Sequence, residues 1–178
     1  MTSYDHQILI RFPEPPGPVL KALALLEIAR RNDPDETAGT DLQDLPQPWN
    51  PTTCPDDLRT SVWEWCDDVV VWMNRQHAWL PHRTIPPCWL QHPHIACEVP
   101  VLACLRWAAH ESTSCEALND WHTPTLPLFH ERTFDQLGAR CSGDHVHWPA
   151  ASRAYSNSSA EAILARKAMI QGDRDWSV

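Results

Sequence analysis

The sequence predicts a mainly α-helical fold, and three observations support this prediction. Apolar residues recur at helical spacing in several segments, most clearly from residue 58 to residue 79. No segment carries the alternating apolar and polar residues that are typical of strands. The 178 residues include 17 Pro and only 5 Gly, which indicates stiff, irregular connections. We therefore expect one small helical domain with extended flanks.

The composition provides for a hydrophobic core. Hydrophobic residues make up 43% of the chain and charged residues 21%, close to the averages for globular proteins. There are 10 Trp against 3 Phe and 2 Tyr, and each buried Trp removes roughly 150 to 250 Å² from water. This apolar surface excludes disorder of the whole chain.

The negative charge is concentrated in one segment. Residues 32–68 hold ten acidic side chains and one basic side chain, Arg59, so this segment alone accounts for the net charge of -9. The rest of the chain is balanced, and no stretch is basic enough to release many counterions from a phosphate backbone. General coating of nucleic acid is therefore disfavoured. The acidic segment suits a protein partner with a basic surface, and its simpler interpretation is a solvated stretch.

We expect a cytoplasmic protein that does not interact with membranes. The first 18 residues contain neither a basic leader nor a long apolar run, so they do not resemble a secretory signal. The apolar runs 22–26 and 69–73 are far shorter than the ~20 residues of a membrane span. In a reducing compartment, the seven Cys are expected to be buried thiols or metal ligands.

Proline and charge divide the first third of the chain into three segments. Residues 1–18 are predicted to be an extended, flexible, Pro-rich arm, in which Gln7–Phe12 is compatible with a short strand. Residues 19–31 are predicted to form an amphipathic helix that ends in basic residues, as the helix dipole favours. Residues 32–55 form an acidic, Pro-rich strap, which we expect to be ordered only where Trp49 docks.

Residues 56–150 are predicted to form a Trp-rich helical core. Its main helix begins at an N-cap, Asp56 or Asp57, and runs to about Leu80. Two apolar stripes give this helix a wide face, so it is either the central helix of the core, which we favour, or a helix with a face for a partner. The first stripe comprises Leu58, Val62, Trp65, Val69, Trp72, Gln76 and Trp79, and the second comprises Trp63, Cys66, Val70, Met73, His77 and Leu80.

Four shorter helices are predicted after the main helix. Pro100 either lies in the first turn of a helix that starts near Cys97 or kinks a longer helix. Ser158 and Glu161 form a capping box for the last helix, in a C-terminal segment of residues 151–178. The predicted spans are about Pro93 or His94 to His110, Ser114 to Trp121, Leu128 to Leu137 opened by Pro127, and Ser158 to Gln171.

Two Cys-x3-His pairs carry the strongest chemical signal in the sequence, Cys88 with His92 and Cys141 with His145. Each pair places a thiolate and an imidazole within about one turn, close enough to bind one ion. Together they complete the tetrahedral Cys2His2 shell that structural Zn²⁺ prefers. We therefore predict Zn²⁺ as a cofactor, in a zinc knuckle that joins two loops and stabilises the helices.

Other interpretations of these residues stay open. The Cys side chains could be buried thiols and the His side chains surface imidazoles, with no metal. Another residue could also replace one of the four ligands, and the substitutes are His94, Cys97, Cys54 and His147. A complete set of four protein ligands leaves no position for water, which argues for a structural role.

Two catalytic alternatives have less support. A zinc-dependent hydrolase would use three ligands and a nearby carboxylate, for which Glu98 is the candidate, but the sequence lacks an H-E-x-x-H motif. The sequence contains the residues for a nucleophilic thiolate, Cys104 or Cys115 with His110, but a buried Cys on a helix is usually inert. We assign no catalytic residue.

One further pattern runs through the second half of the chain. Its members, in order, are Cys88-Trp89, His92-Pro93, Glu98-Val99, Leu102, Trp107, Trp121-His122, Arg132 and Cys141 to His145. The pattern resembles an uncharacterised domain family of plasmids, phages and integrated elements in high-GC Gram-positive bacteria (actinobacteria), and it covers about a third of the chain. This resemblance implies an accessory protein of a mobile genetic element, without an established activity.

We expect a non-catalytic interaction or adaptor protein, stabilised by Zn²⁺, with partner contacts at Trp63, Trp72, Asp67 and Asp68. The main alternative is a nucleic-acid-binding accessory factor, in which Trp rings stack on unpaired bases and Arg side chains contact phosphates. Stacking surfaces normally lie in a positive groove, and the charge block in this chain is negative. The wide face of the main helix would also allow two copies of the chain to associate.

Overall fold

Helices joined by short turns make up the described part of the computed structural model, which comprises residues 9–31, 44–78, 80–137, 141, 145–146 and 156–176. The mainly α prediction is confirmed, and no strand occurs among these residues. The chain forms two units, the first with helices α1 to α6 and the second with α7. The bounds are α1 Gly17–Arg31, α2 Asp56–Gln76, α3 Pro93–Ala96, α4 Val99–Glu111, α5 Glu116–Asp120, α6 Leu126–Leu137 and α7 Ala160–Trp176.

Helix α2 is the central helix of the first unit, as its two apolar stripes predict. The described stripe positions from Leu58 to Met73 are buried, apart from the half-buried Trp63. The predicted N-cap is wrong, because Pro55 occupies that position and both Asp56 and Asp57 lie inside the first turn. There the two carboxylates interact favourably with the positive end of the helix dipole. Trp79 lies outside the described residues.

The N-terminal segment packs on α2, which corrects the prediction of a flexible arm. The indole Nε1 of Trp72 donates to the Ile10 carbonyl oxygen at 2.9 Å, and that of Trp65 donates to the Pro13 carbonyl oxygen at 3.0 Å. Phe12 lies between these two bonds and is buried. Buried indole N–H groups need acceptors, and irregular Pro-rich chain has free carbonyl groups to offer. Residues 9–16 form no strand, and residues 1–8 lie outside the described part.

Trp49 docks on the core within residues 44–55, the part of the strap that the structure describes. Trp49 is partly buried against the core, and Pro51–Thr53 forms a single 3-10 turn directly after it. Thr53 closes this turn, since its hydroxyl donates to the Asn50 carbonyl oxygen at 2.8 Å. The rest of the strap, residues 32–43, lies outside the described residues.

The proline positions shape the helices that follow. Pro100 lies in the first turn of α4, one of its two predicted placements, and α3 is a separate turn before it. The predicted break between α5 and α6 is wrong, because a π-helical turn, Trp121–Thr125, joins them and holds Pro124 inside. A proline lacks the N–H that an α-helical turn needs, and a wider turn accommodates this loss.

Helix α7 begins one residue later than its capping box predicts. The backbone N–H of Ala162 donates to the Ser159 hydroxyl at 3.2 Å, so Ser159 rather than Ser158 caps this end. The exposed apolar side chains of α7 include Leu164, Met169 and Ile170. No described helix combines the length and the apolar character needed to cross a bilayer.

The guanidinium group of Arg106 packs against three aromatic rings of the core. The Cζ atom of Arg106 lies 5.0 Å from the ring centroid of Phe12, 5.6 Å from Trp72 and 5.7 Å from Trp121. Its Nε and Nη1 atoms are buried and form no hydrogen bond within the described part of the chain. The faces of three aromatic rings thus stabilise the cation, and they tie the N-terminal segment to α4.

The imidazole of His77 at the end of α2 is kept neutral by its surroundings. Its ring centroid lies 4.7 Å from Trp72 and 5.4 Å from both Trp121 and His122. Burial, followed by the neighbouring basic side chains, lowers the pKa of His77 from 6.5 to about 4. Protonation of this ring therefore favours the unfolded chain.

Acid should destabilise the fold as the pH falls from 6.5 to about 4, since the unfolded chain protonates His77 in this window and the folded chain does not. We expect His77→Phe to reduce the loss of unfolding free energy between pH 7 and pH 5 by about 1 kcal/mol, a value lowered for the half exposure of the ring. Urea unfolding of both proteins with excess zinc measures the difference. Equal losses in the two proteins would contradict this prediction.

Candidate metal centre

The structure brings the four predicted ligands together. Nε2 of His92 lies 3.4 Å from the Cys88 sulfur and 3.3 Å from the Cys141 sulfur. With His145 included, the four ligand atoms all lie within 4.8 Å of one another. Two sulfur and two nitrogen donors at this spacing could hold one metal ion.

A single tight turn positions the first pair. Cys88 precedes the 3-10 turn Trp89–Gln91, and its carbonyl oxygen accepts the Gln91 N–H at 2.8 Å. His92 follows this turn with extended backbone, φ -112° and ψ 93°, as the following Pro93 requires. Because the three residues between them form this turn, the side chains of Cys88 and His92 lie next to one another.

Helix α2 anchors this turn through polar side chains. Trp89 is buried, and its Nε1 donates to a carboxylate oxygen of Asp67 at 3.0 Å. Asn74 bonds both backbone groups of Ile85, donating to its oxygen at 2.9 Å and accepting from its nitrogen at 2.8 Å. These bonds fix the chain on both sides of Cys88.

An ion pair connects the segments that lead to the two sulfur ligands. Nε of Arg132 on α6 lies 3.2 Å from both carboxylate oxygens of Glu98, the residue that directly precedes α4. In the sequence, Cys141 comes four residues after the end of α6, and Glu98 follows the turn that carries Cys88. Because the ion pair is partly exposed, we expect it to orient α6 relative to the start of α4 and to contribute little to the stability of the fold.

The ionisation of the Cys88 thiol is affected by its surroundings at the centre. Burial, together with the neighbouring Cys141 sulfur, raises the pKa of Cys88. A divalent cation would have the opposite effect, because it stabilises thiolates. His92, which contacts both sulfurs, is fully buried and thus held in a fixed position.

Three of the four proposed substitute ligands, Cys54, His94 and Cys97, are not part of the cluster that the described residues form. The Cys54 sulfur donates weakly to the Gln47 carbonyl oxygen at 3.5 Å, and the Cys97 sulfur to the His94 carbonyl oxygen at 3.2 Å. The ring of His94 is 5.7 Å from that of His92, edge to face. His147 falls outside the described residues.

Two of the groups considered for catalysis, Glu98 and Cys104, are bound elsewhere or protonated. Glu98, the carboxylate of the hydrolase alternative, is bound by Arg132. Burial raises the pKa of the Cys104 thiol to about 12, so this thiol is protonated at neutral pH. Cys115 is exposed and precedes α5.

The four predicted partner contacts differ in exposure. Trp72 is buried in the core, which corrects its placement as a partner contact. Trp63 is half-buried, with its ring centroid 6.1 Å from that of Trp89. Asp68 is exposed, and Asp67 is exposed while it also accepts the Trp89 bond.

Sequence reasoning missed Asn74, Asp67 and Arg132 as supports of the centre. Asn74 carries the only signal of the three, as a polar residue of low helix propensity between the apolar positions of α2.

In the comparisons with known proteins, no family model, no curated protein and no solved structure matched the chain.

Proposed function

We propose that the chain is a non-catalytic interaction protein, in which a structural Zn²⁺ stabilises a helical core that binds a protein partner with a basic surface. One observation carries the proposal, the convergence of two Cys and two His with all four ligand atoms within 4.8 Å. The resemblance noted above adds a setting for this role, an accessory protein of a mobile genetic element.

The donor set and its spacing support zinc. Zn–S bonds of about 2.3 Å and Zn–N bonds of about 2.0 Å place tetrahedral ligand atoms about 3.3 to 3.8 Å apart. The two sulfur–nitrogen distances, 3.4 and 3.3 Å, lie in this range. Four protein ligands leave no position for a reacting water, so such a site cross-links the chain and does not catalyse.

The exposed side of α2 supports a basic partner. Its acidic side chains are Asp56, Asp57, Glu64, Asp67 and Asp68, all exposed. Of its two basic side chains, Arg59 is ion-paired with Asp56, and Arg75 is exposed in the last turn. Because Asp67 also holds Trp89, this acidic side adjoins the turn that carries Cys88 and His92. A metal that fixes the turn would therefore also fix one edge of the binding surface.

Tryptophan burial weighs against nucleic acid as the partner. Four Trp side chains of the described part are buried, and they would be unable to stack on bases. Three more, Trp49, Trp63 and Trp107, are half-buried and pack against the core. The buried set comprises Trp65, Trp72, Trp89 and Trp121.

Elemental analysis tests the metal part of the proposal. Protein purified without added metal is expected to contain about one equivalent of zinc per chain, and Cys88→Ser with Cys141→Ser should remove it. The matched control is Cys97→Ser with Cys115→Ser, which changes two exposed thiols and should leave the zinc in place. A folded protein with no metal would contradict the proposal.

Binding of a fluorescent nona-arginine peptide tests the acidic surface. Glu64→Lys with Asp68→Lys should weaken binding about tenfold or more, since it reverses two charges on α2 and spares Asp67. Glu116→Lys with Asp120→Lys is the control, because these exposed acids have the same i,i+4 spacing on α5. Equal weakening by both pairs would contradict a defined surface, and tight, strongly salt-dependent binding of single-stranded DNA would favour the nucleic-acid alternative.

A further inference from the structure

We propose that Cys88 and Cys141 form a peroxide-sensitive switch, in which oxidation joins the two sulfurs in a disulfide and releases the metal ion. The inference rests on the proposed function, because it takes the bound ion to be zinc. It adds a regulatory chemistry to the same four residues.

The geometry brings the two sulfurs within reach of one another. Both contact the same nitrogen of His92, at 3.4 and 3.3 Å, and they lie within 4.8 Å of one another. Both sulfurs stand in turns rather than inside helices. A disulfide needs sulfurs about 2 Å apart, so the two sulfurs have to approach one another by less than about 3 Å.

The two sulfurs differ in exposure, and this difference assigns their roles. Cys88 is half-buried at the start of its turn, whereas Cys141 is buried at 8% exposure. A peroxide molecule therefore meets Cys88 first. Cys141 is the resolving thiolate, which attacks from the protected side.

The other thiols of the described part lack this combination. Burial raises the pKa of Cys66 and of Cys104, and Cys54 is buried as well, so peroxide meets protonated, shielded sulfurs there. Cys97 and Cys115 are exposed and lie outside the Cys2His2 cluster. At the metal centre, by contrast, peroxide can reach the Cys88 thiolate, and the Cys141 thiolate lies beside it.

The reaction consumes one hydrogen peroxide per disulfide. The Cys88 thiolate attacks one peroxide oxygen, which forms an S–O bond, breaks the O–O bond and releases hydroxide. The Cys141 thiolate then attacks the Cys88 sulfur, forming the S–S bond and breaking the S–O bond with release of a second hydroxide. The two sulfurs lose two electrons in total, and peroxide gains them. Zinc loses both thiolate ligands and dissociates from the two remaining imidazoles.

The test uses the full chain with its zinc bound. Hydrogen peroxide is added, zinc release is followed with a chromogenic chelator, and the disulfides are mapped by mass spectrometry of unreduced peptides. We expect about one equivalent of zinc to leave as the Cys88–Cys141 disulfide forms, and dithiothreitol with added zinc to restore the starting state. Brief treatment with dimedone present should label Cys88 about fivefold more than Cys141.

A control variant keeps the test independent of the ligands. Cys97→Ser with Cys115→Ser leaves all four ligands intact and should release zinc at an unchanged rate. Zinc release without the Cys88–Cys141 disulfide would overturn the switch, as would retained zinc while Cys97 and Cys115 are oxidised. Protein that contains no zinc before oxidation would contradict the proposed function itself, so the two failures are distinguishable.

Discussion

Replacement of His92 by alanine is expected to abolish zinc binding and to lower the free energy of unfolding by about 3 kcal/mol or more. His92 is fully buried and contacts both sulfur ligands, so its loss leaves two neighbouring thiols without their shared partner. The removed ring also leaves a cavity beside the Cys88 and Cys141 sulfurs. Zinc content by elemental analysis and urea unfolding with excess zinc measure the two effects.

His94→Ala is the matched control for this prediction. His94 is two residues away, and its ring lies 5.7 Å from that of His92, so its removal should leave one zinc in place. His92→Cys should regain part of the binding, since a Cys3His set also suits Zn²⁺. If His94→Ala lost the zinc while His92→Ala kept it, the ligand assignment would be wrong.

The metal cluster could be predicted because its signal is local. A Cys-x3-His spacing brings two donors together within one turn, whatever the rest of the fold does, and two such pairs supply a full tetrahedral set. The supports of the cluster carry no such signal. Asp67 is one of ten acids between residues 32 and 68, and nothing in its neighbours indicates that it accepts a bond from Trp89.

Helical periodicity predicted which residues share a face of α2, but it could not predict what covers that face. Trp72 shows the difference. Its place in the apolar stripe is as predicted, whereas its use as a partner contact is excluded by the N-terminal segment, which lies against it. The bonds from Trp65 and Trp72 to this segment span 52 and 62 residues, and a local pattern holds no information on such pairs.

The π-helical turn was beyond prediction for a similar reason. The sequence predicted two separate helices, the second opened by Pro127, and Pro124 lies in the gap between them. The buried Trp121 and Leu126 hold both flanks against the core, so the chain widens one turn and stays helical. Packing of the flanks therefore outweighs the local preference of the proline.

Phe12→Ala is expected to lower the free energy of unfolding by about 3 kcal/mol, because it removes a buried aromatic ring from a packed site. The ring of Phe12 is 7% exposed and packs edge to face on Trp72 at 5.0 Å, with the Arg106 guanidinium 5.0 Å from its centroid. Its loss also removes one of the three ring faces that stabilise this cation. Urea unfolding measures the effect, and Leu9→Ala is the control, since Leu9 is 79% exposed and should cost less than about 0.5 kcal/mol.

Trypsin provides a second, local measurement of the same prediction. The bond after Arg11 lies in the segment that Trp65 and Trp72 hold on α2, so cleavage there requires that the segment leave the core. Phe12→Ala should speed this cleavage about tenfold or more, whereas Leu9→Ala should leave the rate unchanged. A free arm would be cut at the same fast rate in all three proteins, and that result would show that the contacts of residues 10–13 with α2 do not hold the segment in place.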